Sequence, residues 1–143
     1  LEKGYRIWGG DVTPDHTPIE AGLGWAAKLK TATPFLGRDA LEQQKANGLA
    51  KRLAFFAVDD PEVVLLGRET IYRNGERVGW LTSGGFGHTV GQCVGIGYVR
   101  NTDGVDRDFL TSGDYELEVA CERIPAQLST HPAYDPKSDR VKM

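Results

Sequence analysis

The residues of this sequence that could do chemistry are few and dispersed: His16, His88, His131, Cys93, Cys121 and a small number of carboxylates beside turns. No two of the histidines stand at the i, i+4 spacing that puts two ligands on one helix face. Neither cysteine sits near a histidine in a C-x-x-C arrangement, so no metal-ligand pattern emerges. Cys93 and His88 are close enough in sequence to pair as thiolate and imidazole. Their offset spans a glycine-rich stretch with no orienting acid, which the activation of a cysteine nucleophile requires. The simpler reading of Cys93 and Cys121 is two small buried apolar residues, each inside an apolar stretch. A disulfide would need paired strands and an oxidising compartment. Glu20 closes Thr17-Pro18-Ile19-Glu20, the start of a helical turn. There a carboxylate either stabilises the N-terminus or contacts a ligand or neighbouring domain.

Two groups of residues suit binding rather than catalysis. Tyr5, Trp8 and Trp25 form an aromatic group that either packs into a core or walls a site for a planar heterocycle. Glycines at 79, 84, 85, 87, 91, 95 and 97 give either a backbone that approaches a ligand closely or tight turns and strongly bent barrel strands. Gly22-Leu23-Gly24-Trp25-Ala26-Ala27 has the outline of G-x-G-x-x-A, but it follows no strand of a βαβ unit, so a nucleotide site is not expected.

The elements that must position these groups change character along the chain. Residues 1 to about 37 are rich in Gly, Pro and Thr, and prolines at 14 and 18 mark turns. The spacing predicts one helix over 38–47, with good helix formers, Lys45 in its last turn and Gly48 as a left-handed cap. From Lys51 the period becomes that of strands. Leu53, Phe55 and Ala57 alternate with Ala54, Phe56 and Val58, apolar on both faces as in a buried strand. Asn74-Gly75 marks a type I′ hairpin. Val94, Ile96 and Tyr98 alternate with glycines. Tyr115, Leu117, Val119 and Cys121 alternate with polar or small residues, which gives one packed and one wet face. Ser112-Gly113-Asp114 supplies a turn, and residues 124–128 a partner strand. Five to seven short strands result, and the fold class is mainly β: a small antiparallel β-barrel or sandwich preceded by a loop-rich segment and one short helix.

The bulk properties set limits. A chain of 143 residues with 40% apolar and 26% charged residues can bury a core without disulfides. A net charge of −3 argues against a nucleic-acid or anionic-membrane surface, which needs clustered Lys and Arg. No apolar run approaches the ~20 residues of a membrane span. The opening residues carry no secretory leader pattern and read as the middle of a longer polypeptide.

Several segments in order resemble the glycine cleavage T-protein (aminomethyltransferase) superfamily. They are Leu1-Glu2-Lys3-Gly4-Tyr5-Arg6-Ile7-Trp8-Gly9-Gly10-Asp11, Thr17-Pro18-Ile19-Glu20-Ala21-Gly22-Leu23-Gly24-Trp25, Phe35-Leu36-Gly37-Arg38-Asp39-Ala40-Leu41, Lys51-Arg52-Leu53, Val78-Gly79-Trp80-Leu81-Thr82-Ser83-Gly84-Gly85, Ile96-Gly97-Tyr98-Val99 and Pro132-Ala133-Tyr134-Asp135-Pro136. The wording of residues 2–8 is most similar to the sarcosine and dimethylglycine dehydrogenase branch. A related branch is the non-catalytic regulatory subunit of pyruvate dehydrogenase phosphatase.

This resemblance implies a tetrahydrofolate-dependent module of three parts arranged in a ring. Residues 1–48 would be the tail of the folate domain and a linker helix, and 49–143 the C-terminal β-barrel. The family's assisting aspartate, the Tyr and Glu of its G-Y-T-G-E-x-G-x-E segment and the Arg of its G-x-x-A-R-D segment lie outside these 143 residues. No catalytic residue is therefore assigned here. Tyr5 falls where the family has an aromatic lining the folate pocket, with Trp8 beside it. Lys137-Ser138-Asp139-Arg140 does not match the family's C-terminal tyrosines. Implied partners are upstream folate and flavin (FAD) domains of the same polypeptide, in a bacterial cytoplasm or the mitochondrial matrix. A regulatory or interaction relative, and a free-standing barrel for another small molecule, stay open beside it.

Overall fold

Alternation along the strands decides the architecture, which a computed structural model describes for residues 1–142. The helix α1 (Arg38–Asn47) is followed by β1 (Lys51–Val58), β2 (Thr70–Arg73), β3 (Glu76–Gly87), β4 (Gln92–Arg100), the short helix α2 (Arg107–Thr111), β5 (Tyr115–Val119) and β6 (Glu122–Ser129). Every strand pairing is antiparallel, and the strands close into a barrel in the order β1-β4-β3-β2-β5-β6. Closure gives each strand two neighbours, which shortens the exposed edges.

β1 is apolar on both faces because each face has something to cover it. Ala54, Phe56 and Val58 point into the barrel, where they pack with Leu65, Ile71, Leu81, Val99, Leu110, Tyr115 and Leu117. Leu53 and Phe55 point outward and join Ile96 and Tyr98 of β4 in a second buried cluster. The N-terminal segment covers that outer cluster. His16 stacks on the Tyr98 ring at 4.2 Å, and Gly4 sits so close to the Phe55 ring that a Cβ there would come within 2.7 Å of it. Residues 1–24 are therefore fastened to the outside of the barrel.

The glycines of β3 and β4 make room for the interior. A Cβ at Gly97 would lie 2.6 Å from the Trp80 carbonyl oxygen and 3.0 Å from Ile71 Cδ1. Only glycine lets β3 and β4 approach this closely while Ile71 fills the barrel. The glycine run thus belongs to bent barrel strands. At the β2–β3 hairpin Asn74 and Gly75 take φ values of 50° and 83°, the positive pair that a type I′ turn needs.

Helix α1 spans the expected residues and buries none of them. Gly48 has the expected positive φ of 85°, but with ψ 177° it is extended rather than left-handed helical. Cys93 is buried, as expected, and its thiol donates to the Val63 carbonyl. Cys121 is exposed. The strand read as continuing to Cys121 ends at Val119, because Val119 pairs with Glu122 across a two-residue turn. Ala120 and Cys121 occupy that turn with φ of 50° and 70°. No described helix is long and apolar enough to cross a membrane.

The two ends of the chain are held together on the barrel. Glu2 accepts from the backbone N–H groups of Thr89 (2.7 Å) and Val90 (2.9 Å) and from the Thr89 hydroxyl (3.0 Å). Lys3 pairs with Asp135 at 2.8 Å, and the Tyr134 N–H donates to the Glu2 carbonyl. Partial desolvation pushes the Glu2 pKa up, but these donors outweigh it and hold the pKa below the ordinary glutamate value. The Lys3 hydrogen bond does the same for Asp135. A depressed folded pKa gives stability that is complete above the unfolded value, near pH 4, and is lost as the pH falls through the folded value. Amide NMR of Thr89 and Val90 should therefore titrate below the ordinary glutamate pKa. Titration at the ordinary value would show that the clasp does not form in solution.

Candidate functional site

Asp11 is 1% exposed and organises the segment that carries the candidate aromatic residues. Its Oδ2 accepts from the Ile7 N–H at 2.9 Å, and its Oδ1 from the hydroxyls of Thr82 (2.5 Å) and Ser83 (2.8 Å). Its carbonyl accepts from the Tyr98 hydroxyl at 2.9 Å. In a regular strand Thr82 and Ser83 would point to opposite faces. The β3–β4 register shifts between Leu81 and Ser83, and this bulge turns both hydroxyls to one carboxylate. Burial, with the negative charges of Asp11 and Glu20, pushes the Tyr98 pKa up to about 12. Its hydroxyl is thus a fixed donor at any physiological pH.

Glu20 fulfils the helix-start reading. The Thr17 N–H donates to Glu20 Oε2 (2.9 Å), and the Glu20 N–H donates to the Thr17 hydroxyl (3.2 Å), which is a reciprocal capping box. Gln44 of α1 and Lys51 of β1 complete the carboxylate's partners at 3.2 and 3.6 Å.

Of the two aromatic residues expected to contact a cofactor, Tyr5 lines a groove of about 650 Å³. Trp8 does not. It is 73% exposed and its backbone bridges to Val12. The aromatic that joins Tyr5 in the groove is Trp25, and with exposures of 64% and 82% neither is a core residue. Strand β1 supplies Arg52, Leu53 and Phe55, and the C-terminal segment supplies His131 and Pro132. Lys3 and Arg6 add cations to the lining. The Nη1 of Arg6 donates to the Gly4 carbonyl at 2.7 Å, its guanidinium lies 5.5 Å from the Phe55 ring centre, and its Nε is buried without a partner among the described residues. Burial lowers the Arg6 pKa from its ordinary value, yet a guanidinium stays charged.

Aromatic faces, an apolar floor and cations with an orphaned donor fit a flat molecule bearing negative charge. The lining holds no carboxylate among the described residues. Cys93 and His88 are not brought together as a nucleophile and base: the thiol is spent on Val63 and the imidazole packs edge-on against Phe86. Arg6, Arg52 and His131 were not legible as a site, since the groove joins residues from opposite ends of the chain.

Comparison with known proteins agrees with this architecture. The profile of the glycine cleavage T-protein C-terminal barrel domain matches residues 51–135. Mitochondrial sarcosine dehydrogenase of Mus musculus is 45% identical over 99% of this chain, which corresponds to 16% of that protein's length. The mitochondrial pyruvate dehydrogenase phosphatase regulatory subunit of Mus musculus is 38% identical over 92% of the chain and 16% of its own length. The crystal structure of the glycine cleavage system aminomethyltransferase T from Bartonella henselae superposes with a TM-score of 0.76 at 27% identity, covering 94% of this chain and 37% of that one. The chain thus spans about one sixth of the two mouse relatives.

Replacing Asp11 with alanine should cost about 2–4 kcal/mol, because three donors lose a buried carboxylate. Asp11→Asn should cost less but not nothing, since its amide NH₂ must face one of those donors. Urea unfolding checks both. A change within about 0.5 kcal/mol for the alanine variant would show that the segment is held by other contacts.

Proposed function

The chain belongs to the glycine cleavage T-protein family through its C-terminal barrel, and on that premise we propose that it is the C-terminal part of a tetrahydrofolate-dependent aminomethyltransferase-like module. The whole protein would be of the sarcosine or dimethylglycine dehydrogenase type, passing a one-carbon unit from an N-methyl glycine derivative to folate. The observation that carries this reading is the groove in which Tyr5 and Trp25 meet Arg6 and Arg52. A folate is a planar ring system joined to a carboxylate-bearing tail, and it needs that combination. Tetrahydrofolate, when bound, supplies the acceptor for the one-carbon unit. In this reading Tyr5 packs against its ring system, Trp8 meets the cofactor from outside this groove, and the guanidinium of Arg6 draws the anionic part toward the barrel.

The likeness to mouse sarcosine dehydrogenase runs through the N-terminal segment as well as the barrel. That supports residues 1–48 as the tail of a folate-binding domain with its linker helix, and 49–143 as the barrel that closes it. The partners are then upstream folate and FAD-containing domains of one longer polypeptide, in the mitochondrial matrix or a bacterial cytoplasm. The regulatory reading rests on the likeness to the phosphatase regulatory subunit. Presence or absence of the family's acidic and folate-contacting residues in the upstream sequence separates the two.

In the full-length protein, Tyr5→Ala should weaken tetrahydrofolate binding by about 1–3 kcal/mol, on the scale of aromatic stacking against a base. Fluorescence titration reads it, and unchanged affinity would remove Tyr5 from the site. The 143 residues alone should catalyse no tetrahydrofolate-dependent capture of formaldehyde, because the proposed acid lies outside them. Measurable turnover by the purified chain would overturn the division of labour.

A further inference from the structure

A second cavity, apart from the Tyr5 groove, lies between the turn at residues 9–16 and the β3–β4 pair, with a volume of about 340 Å³. Its charged lining residues are Lys51, Arg68, Arg100 and Asp15. Their commitments differ. Lys51 is engaged, donating to the Asp15 carbonyl at 2.6 Å and facing Glu20 at 3.6 Å. Asp15 is exposed, where water screens its charge. The hydroxyls of Thr82 and Tyr98, which also line the cavity, are spent on Asp11. The N–H groups of Gly9 and Gly10 bond within their own turn. The His16 ring stacks on Tyr98 with its Nδ1 3.0 Å from the Thr13 hydroxyl, and the cationic groups left without a hydrogen bond among the described residues are the guanidiniums of Arg68 and Arg100.

Arg100 is held in place rather than free to search. Its guanidinium carbon lies 3.8 Å from the Trp80 ring centre, so the indole fixes the plane of the fork. Its Nη1 is buried and has no hydrogen-bond partner among the described residues. A buried donor without an acceptor is costly, and native proteins rarely leave one. Arg68 lines the same cavity from the bend before β2, with an unusual positive φ of 79° and its N–H bonded to the Leu81 carbonyl. It adds a second guanidinium, which is exposed like Asp15 and so grips less firmly than Arg100. Two such groups beside a cavity of this size suit a small oxyanion, whose paired oxygens match the arginine fork.

We propose that this cavity binds a small oxyanion, a carboxylate or a phosphate, gripped by Arg100 and Arg68. The site is independent of the folate reading, since it shares none of its lining with the groove that contains Tyr5. The wall formed by Trp80 makes Arg100 the more discriminating of the two, because the indole holds its guanidinium plane and its Nη1 is buried.

The test is isothermal titration of the full-length protein with inorganic phosphate and, separately, with succinate. Arg100→Ala, Arg100→Lys and Arg68→Ala are compared with the parent, and each variant's folding is checked by its melting temperature. The expected result is saturable binding of one of the two anions that Arg100→Ala weakens roughly tenfold or more, the worth of a charge-assisted hydrogen bond. Arg100→Lys should retain only part of it, because the ammonium keeps the charge but loses the fork. Phosphate binding without succinate binding would identify a phosphate ligand, and the reverse a carboxylate. Binding that both Arg100 variants leave unchanged would overturn the proposal, as would no saturable binding of either anion. If Arg100→Ala does not fold, the folded Arg100→Lys and Arg68→Ala variants decide the matter. Parent-like affinity in both would sink it.

Discussion

The buried carboxylate of Asp11 is the constraint on which the N-terminal segment depends. It reaches from the turn after Ile7 to two neighbouring hydroxyls on β3, and its own carbonyl receives the Tyr98 hydroxyl from β4. A segment so rich in glycine and proline has little intrinsic order and few apolar residues to bury. One saturated polar anchor therefore does for it what a hydrophobic stripe does for a helix. The anchor works only because β3 carries a bulge at Thr82. Without that extra residue Thr82 and Ser83 would face opposite ways, and Asp11 would be under-satisfied in the interior.

Holding that segment against the barrel has consequences at both of its surfaces. Inward, it covers Leu53, Phe55, Ile96 and Tyr98, which would otherwise form an exposed apolar strip on the outer face of β1 and β4. Outward, it displays Tyr5, Trp8 and Trp25 to solvent. Tyr5 and Trp25 share one groove, and Trp8 stands outside it.

The barrel encloses an apolar core. Its interior is filled by aliphatic and aromatic side chains, with glycines on β4 admitting Leu81 and Ile71. The groups with chemical potential stand on its rim and outer face: arginines braced against aromatic rings at Phe55 and Trp80, and termini tied down by Glu2 and Lys3. Arginine braced on an aromatic ring loses little further entropy when it binds an anion. Both cavities described above hold such an arginine.

Much of the architecture was written locally. The type I′ hairpin follows from Asn74-Gly75, the helix from the formers between Arg38 and Asn47, and the doubly buried β1 from its unbroken apolar run. Those features depend on backbone preference and periodicity, which neighbouring residues set. The sequence also carried the family likeness. It could not show that Cys121 sits in an exposed turn, because a strand pattern continues through Val119 and only the pairing with Glu122 ends it. Nor could it show that Tyr5 meets Trp25 rather than Trp8, or that Asp11 finds Thr82 and Ser83 some seventy residues away. Those meetings depend on barrel closure and on a bulge. Both are properties of how strands register against one another, and only the tertiary structure decides that.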